Sequence, residues 1–358
     1  QDAIFKIQRK NLEVINKLLK KKLSSKNFYI KKSKVFFEDD ENTVAIFLID
    51  NFQGNYLKNK SRNQIDIEGI AFNSNFEFKW LRNFESPYDT SFNLKFPEIG
   101  LNLTNNYERD IENFNKYNGN NFIVFPKSQI KTNFSLEKNV LSFLSKNSKI
   151  GQVKPVYDGL INFDPFFFEI NIKLNKLNLS NLIYNSNWLY YLIKDDSFLL
   201  NENLNGKIIL TIDDLKLNLF DKLDCVIELQ NGILKMNDFN LISKNVGQVK
   251  LRGEIVTDKE GIFKYKVLMN IKDSKKLYAK LQTPKKYREK INTISFDIQF
   301  RFRSRKMTIS NLYIDSVKVE NNLKNINEIL GDYFIDKEFS SMKFIDYKKL
   351  INNIIELN

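Results

Sequence analysis

Histidine is absent from this sequence of 358 residues, and cysteine occurs once, at Cys225. Without histidine there is no imidazole base, no histidine-containing catalytic triad and no histidine metal ligand. A single cysteine excludes an internal disulfide and a zinc site made of cysteines. We therefore predict a protein that is not an enzyme and that needs no cofactor and no metal ion.

Glycine and proline are also scarce, with 12 and 6 residues. The glycines do not form a GxGxxG motif or a phosphate-binding loop, so nucleotide binding by these motifs has no support. No stretch reaches the roughly 18 apolar residues that cross a bilayer as a helix. The chain begins at Gln1 without a signal-peptide pattern, and we expect a processed or truncated product whose anchor or targeting segment lies upstream.

Aromatic and basic residues are abundant instead. The chain has 31 Phe, 15 Tyr and 2 Trp, and its formal net charge is +13. With 42% hydrophobic and 28% charged residues, it is neither a disordered tail nor a protein with many membrane spans. The class that remains is a large, basic, aromatic-rich structural or binding protein.

Alternation of apolar and polar residues is the dominant pattern, and it predicts half-buried β-strands. The clearest example runs from Ile294 to Phe302, where every second residue is large and apolar. Asn231-Gly232 is a strong hairpin signal within 223–271, which we predict to be a meander of short strands. The alternation slips at Asp213-Asp214, where we predict a bulge or a bend.

The predicted fold is mainly β: an elongated, twisted antiparallel sheet that curls into an open groove, with short helical inserts and a helical C-terminus. The predicted organisation is an N-terminal helix with strand units over 1–104, a candidate loop or seam over 105–121, a β-groove region over 122–320 and amphipathic helices over 321–358. Apolar spacing predicts helices over 7–23, 136–144, 179–193, 274–281, 323–334 and 344–357.

The apolar faces of these strands carry the functional prediction. The predicted helices are too few to cover the strands, the apolar residues are bulky, and the opposite faces stay polar. We therefore predict an open apolar groove that holds acyl chains, lined by Phe76, Phe78, Trp80, Phe92, Leu94, Phe96, Phe168, Ile170, Ile172, Leu174, Ile208, Leu210, Ile212, Phe296, Ile298, Phe300 and Phe302. The alternative is a sheet closed over its own core, acting as a scaffold or protein-interaction module through an edge or the C-terminal helices.

Other candidate groups have simpler interpretations. Adjacent acids at 39–41, 195–196 and 213–214 are typical of solvated turns and not of a catalytic pair. Cys225 lies inside a strand pattern, which indicates a small buried hydrophobe. The basic clusters, such as 301–306, line the wet faces of strands. Attraction to anionic lipid headgroups is a second interpretation, and both rank above nucleic-acid binding.

Residues 201–255 resemble the C-terminal region of the AsmA-like family of bridge-type lipid transfer proteins (AsmA/TamB/YhdP type). The shared pattern is a strand start at Asn203–Gly206, a hairpin over Leu229–Met236 and a strand between Gly247 and Gly253. Residues 159–183 and 305–319 resemble other family segments, and the likeness covers roughly 60–320. The chain departs from the family in lacking the N-terminal transmembrane helix.

The resemblance implies an envelope protein of a Gram-negative bacterium, on the periplasmic side of the inner membrane and held there by an anchor outside this chain. It implies an elongated β-groove that takes part in phospholipid transport between the inner and outer membranes, or in outer-membrane assembly. The implied partners are phospholipid acyl chains, the inner membrane and other envelope proteins, with no nucleic acid. The family has no catalytic residues to transfer.

Overall fold

The computed structural model describes residues 21–39, 42–71, 74–85, 89–113, 115–178, 204–215, 219–256, 262–301, 306–319, 324, 326–328 and 344–357. The chain divides into two compact units, Gln1–Gln152 and Val153–Asn358. We call them unit 1 and unit 2. Their boundary lies about thirty residues beyond the candidate seam at 105–121.

Unit 1 is a sheet in which each strand from the first to the ninth pairs antiparallel with the next. A short tenth strand pairs with the start of the eighth. The strands are β1 (Phe28–Asp39), β2 (Asn42–Leu57), β3 (Arg62–Ala71), β4 (Ser74–Asn83), β5 (Asp89–Phe96), β6 (Leu101–Arg109), β7 (Lys116–Phe125), β8 (Ser128–Glu137), β9 (Val140–Ser145) and β10 (Lys149–Ile150). Two 3-10 turns, Lys58–Lys60 and Pro97–Ile99, are the helical segments in the described part of this unit.

Two predictions for unit 1 differ from this structure. The stretch 105–121, predicted as a loop or seam, forms most of the β6–β7 hairpin. The predicted helix over 136–144 is wrong, because these residues form the β8–β9 hairpin. Leu136 and Leu141 lie opposite each other across that hairpin, and Lys138 takes the left-handed backbone of its turn with φ 52°. A short apolar run fits both periods, and here strand pairing prevails.

Unit 2 is a second run of strands, and its described residues include two α-helices of eight or more residues and a 3-10 turn, Lys285–Tyr287. The strands are β11 (Pro155–Phe163), β12 (Phe166–Leu174), β13 (Gly206–Ile212), β14 (Lys222–Gln230), β15 (Ile233–Ser243), β16 (Gly247–Val256), β17 (Ile262–Ile271), β18 (Thr293–Arg301), β19 (Lys306–Ile314) and β20 (Val317–Lys318). The helices are α1 (Ser274–Leu281) and α2 (Phe344–Ile355). β11 pairs antiparallel with β12, and β13 to β20 pair antiparallel in chain order.

One pair departs from the predicted antiparallel sheet. β12 and β13 run parallel, with Phe168 opposite Gly206 and Leu174 opposite Ile212. A parallel pair needs a crossover connection, and 31 residues separate these strands in the sequence. Most of that connection, including the predicted helix over 179–193, lies outside the described residues.

Local signals elsewhere in unit 2 predicted the structure well. Asn231 and Gly232 form the β14–β15 turn with φ of 51° and 76°, as an Asn-Gly hairpin turn requires. The meander over 223–271 is confirmed as β14 to β17. α1 begins after Asp273, whose Oδ1 accepts a hydrogen bond of 3.0 Å from the Lys276 backbone N–H. The predicted C-terminal helix is confirmed as α2.

The predicted fold class is confirmed: the described part of the protein is mainly β, with few and short helices and a helix near the C-terminus. The predicted helices over 7–23 and 323–334 lie mostly outside the described residues.

Candidate functional site

The predicted lining residues of β4 and β5 lie on one face of the unit 1 sheet. Phe78 is opposite Leu94, and Trp80 is opposite Phe92. Residues directly opposite each other in a sheet share a face, and so do every second residues along a strand. Phe76 and Phe96 therefore belong to the same face, and their ring centroids are 6.1 Å apart. We call this surface of β3 to β8 the apolar face of unit 1.

A continuous line of apolar residues crosses this face, with one residue from each of six strands. Register places each member opposite the next across β3 to β8. We call it the central row: Ile67, Phe78, Leu94, Leu103, Ile123 and Ile130. All six side chains are only half-buried, so the apolar face of unit 1 meets solvent along its middle.

The opposite face of unit 1 is polar. Lys95 and Glu77 form an ion pair of 3.8 Å between side chains that are both about half exposed. Asn93 Nδ2 donates to Asn102 Oδ1 at 2.7 Å and to Thr104 Oγ1 at 2.8 Å. This second face is exposed to water, as the alternation of apolar and polar residues predicts.

The predicted residues of β12 and β13 also share a face, because the parallel register places Ile170 opposite Ile208 and Ile172 opposite Leu210. Those four are half-buried, whereas Ile212 is fully buried in a cluster with Cys225. Phe168 is buried against Gly206, where an added Cβ would lie 2.5 Å from its ring. Leu174 is partly buried beside the same cluster.

The predicted residues of β18 occupy a different environment. Phe296 and Phe300 belong to a buried cluster that includes Leu281 of α1 and Ile354 of α2. Phe300 is only 4% exposed, and Ile298 packs partly buried against the same cluster. These residues form a closed core instead of the predicted open groove, because the apolar sides of two helices belong to the same cluster. Phe302 lies outside the described residues.

The cysteine and the adjacent acids that were considered as reactive groups lie in structural positions. Cys225 is buried, and burial raises the pKa of its thiol to about 12, so the thiol stays protonated and packs as a small hydrophobe, as predicted. Asp213 and Asp214 are exposed in the bend after β13, and Asp213 pairs with Lys173 at 3.2 Å. The described residues contain no group of three or more Cys, Asp or Glu side chains arranged to hold a metal ion.

A set of polar residues on the apolar face of unit 1 was not predicted from the sequence. Asn105, Asn121 and Thr132 lie opposite one another on β6, β7 and β8. In β9, Ser145 comes directly after Leu144, which pairs with Asn133, so the register continues from Thr132 to Ser145. Ser145 is buried. The available signal was the break in the alternation Leu101, Leu103, Asn105, Tyr107, where asparagine occupies an apolar position.

The fold and this face define a class: a β-rich protein with an open sheet whose apolar face is partly exposed. Within the part of the chain that the structure describes, every helix is too short or too polar to cross a membrane. No protein-family model, no curated protein and no solved structure matches this chain.

Proposed function

We propose that this chain is a non-enzymatic lipid-binding protein that holds acyl chains on the apolar face of unit 1. The observation that carries the proposal is the central row, six half-buried apolar residues in register across β3 to β8. Strands lie about 4.8 Å apart, so the row is roughly 24 Å long. One acyl chain spans about half of a 30 Å bilayer core, and it therefore fits within the row.

The energetics of such binding follow from the exposed apolar surface. Each methylene removed from water contributes about 0.8 kcal/mol, so ten buried methylenes contribute roughly 8 kcal/mol before the cost of immobilising the chain. The ring of Phe92, whose centroid lies 6.0 Å from that of Phe78, adds apolar surface beside the row.

The cellular role that we propose is phospholipid transport between the inner and outer membranes of a Gram-negative bacterium, or outer-membrane assembly. Its support is the resemblance of 201–255 to the AsmA-like family. In this proposal the chain lies on the periplasmic side of the inner membrane, held by an anchor outside the chain, with other envelope proteins as partners. Nucleic acid has no part in it.

Lipid extraction from the purified full chain, followed by mass spectrometry, tests the proposal. The informative variant is Phe78→Asp, which places a carboxylate in the central row. We expect wild type to carry phospholipid and Phe78→Asp to lose most of it, because a charge resists transfer beneath an acyl chain. The matched control is Lys79→Asp, since Lys79 is the next residue and lies exposed on the polar face.

Two outcomes contradict the proposal. One is wild-type protein that contains no lipid and takes none from phospholipid vesicles. The other is a folded Phe78→Asp variant that carries as much lipid as Lys79→Asp.

A second function, a closed β-rich envelope scaffold or protein-interaction module, is favoured by the core of β18. There α1 and α2 contribute to one buried cluster with Phe296 and Phe300. This function predicts that purified wild-type protein carries no phospholipid. The Phe78→Asp variant would then not differ from wild type in lipid content.

A further inference from the structure

The β11–β12 hairpin ends in an exposed cluster of phenylalanines. Phe163 is 51% exposed, Phe166 39% and Phe167 40%. We call residues 162–167 the aromatic tip. Large aromatic side chains carry much of the apolar surface that a protein buries, so three exposed together indicate a surface that another apolar body covers.

The exposed rings of the aromatic tip lie on both faces of the hairpin. Phe163 is opposite Phe166, whereas Phe167 is the next residue along β12 and is opposite Asn162. Since successive residues of a strand point to opposite faces, Phe167 lies on the other face from Phe163 and Phe166. Leu160, which is 37% exposed, shares the face of Phe167. A flat protein partner covers one face of a hairpin, whereas an apolar medium surrounds both.

The two turn residues of the aromatic tip leave no backbone N–H without a partner. The Asp164 N–H donates to Asn162 Oδ1 at 3.3 Å, and Pro165 has no N–H. From Phe163 and Phe166 onward the two strands are paired. Because an unpaired backbone group is costly in hydrocarbon, a turn of this kind suits a medium that contains little water.

Charge is nearly absent from the aromatic tip and returns beyond it. Asp164, at the turn, is the one charged residue within 159–168. Glu169 comes next, and then Asn171 Nδ2 donates to Asp158 Oδ2 at 3.0 Å across the two strands. The uncharged part of β12 is thus three residues, or about 10 Å, long. Protein segments that lie in a membrane interface enter the headgroup and acyl boundary to a similar depth, about 5–10 Å.

The ends of two other hairpins show the contrast. The β8–β9 turn has the sequence Glu137-Lys138-Asn139, and the β14–β15 turn has the sequence Gln230-Asn231-Gly232. Polar turns of this composition are typical of hairpins that end in water. The aromatic tip is therefore not a general property of the hairpins of this protein.

We propose that the aromatic tip inserts into the headgroup and acyl boundary of a lipid bilayer. Acyl surface then covers the phenylalanines on both faces of the hairpin. The carboxylate of Asp164 opposes deeper insertion, because a charge resists transfer from water, and so it holds the tip at the boundary. The aromatic tip belongs to unit 2, and the inference does not rest on acyl-chain binding by unit 1.

Flotation of the full chain with phosphatidylcholine vesicles is the test. Salt at about 0.5 M screens the net charge of +13, so that binding reports apolar contact. We expect wild type to float with the vesicles and the double variant Phe163→Ser/Phe167→Ser to bind at least about tenfold more weakly, because two half-exposed rings together expose about as much surface as one whole ring. Asp164→Asn should bind about threefold more tightly, since it removes the charge that opposes insertion.

The control is the double variant Ile99→Ser/Ile111→Ser. It removes two apolar side chains of unit 1 that are even more exposed, 55% and 73%, and it should keep wild-type binding. A second measurement needs no loss of binding: in Phe167→Trp, brominated acyl chains of the vesicle should quench the added fluorescence, whereas in Ile99→Trp they should not. This measurement decides the question even if the double variant at the tip does not fold.

Absence of wild-type binding overturns the inference and leaves acyl-chain binding by unit 1 intact. A folded double variant at the tip that floats like wild type, or an Asp164→Asn variant that binds no more tightly, overturns it as well. Binding that Phe78→Asp abolishes and the tip variant retains would assign the vesicle contact to unit 1. A wild-type dimer that the tip variant converts to a monomer, without vesicle binding, would assign the aromatic tip to a second copy of the chain.

Discussion

The central row of unit 1 and the β18 core of unit 2 are made from the same alternation of residues, yet the row is half-buried, although Phe76 and Trp80 on the same face are buried, and the β18 core is closed. Phe78 and Leu94 on the central row are half-buried, whereas Ile294 on β18 has no exposed surface. The difference lies in the helices: α1 and α2 contribute to the unit 2 cluster, and the described part of unit 1 has only two 3-10 turns. Alternation thus indicates which face is apolar but not what covers it.

The largest expected effect comes from placing a charge in the closed core. We expect Phe300→Asp to lose cooperative unfolding or to be insoluble, because an unpaired carboxylate in that core costs several kcal/mol, on the order of the stability of a domain. Urea unfolding followed by circular dichroism measures this. Gln299→Asp is the control, since Gln299 alternates to the other face and its change should stay within about 0.5 kcal/mol. A stable Phe300→Asp protein would mean that β18 is open after all.

A truncation of equal size in each region sharpens the comparison. Leu281→Ala removes a fully buried side chain of α1 and should lower the free energy of unfolding by about 2–5 kcal/mol. Leu94→Ala removes a half-buried side chain from the central row, and we expect no more than about half of that loss. Denaturant titration of both variants provides the two values. Similar losses would show that the apolar face of unit 1 is as well covered as the β18 core.

The smallest expected effect concerns the start of α1. Backbone hydrogen bonding from Lys276 lowers the pKa of Asp273 below its ordinary value. A carboxyl with a lowered folded-state pKa stabilises the protein above its unfolded pKa, and that contribution is lost as the pH falls through the folded value. Asp273→Ala should therefore lower the unfolding midpoint modestly at neutral pH, and the difference should shrink in acid. A difference that is independent of pH would rule out the ionised cap.

Strand positions were the most predictable part of this protein because they depend on neighbouring residues. Phe76, Phe78 and Trp80 share a face in any extended segment, and Asn231-Gly232 favours one turn type wherever it occurs. The stretch 105–121 was harder to interpret because its asparagines are typical of loops. In the structure they alternate between the two faces of β6 and β7, so that Asn105 is buried and Asn106 is exposed.

The candidate site was predictable only in part, for the same reason. Two of the six central-row residues, Phe78 and Leu94, are among the lining residues predicted from the sequence. The polar residues Asn105, Asn121 and Thr132 were not predicted, because they lie opposite one another only when β6, β7 and β8 are placed in register. Asn105 and Asn121 are sixteen residues apart, and their pairing depends on where the hairpin turns.

The sequence by itself determined the strand-rich class, the face on which each side chain lies and the position of most turns, since these follow from the period of two in an extended chain. Only the tertiary structure decided which part of the apolar face is closed. α1 and α2 are far apart in the sequence, yet Asn352 Nδ2 donates to the Leu281 carbonyl at 3.0 Å and its Oδ1 accepts from Thr283 Oγ1 at 2.7 Å. Such contacts depend on long-range packing, which no local pattern of residues specifies.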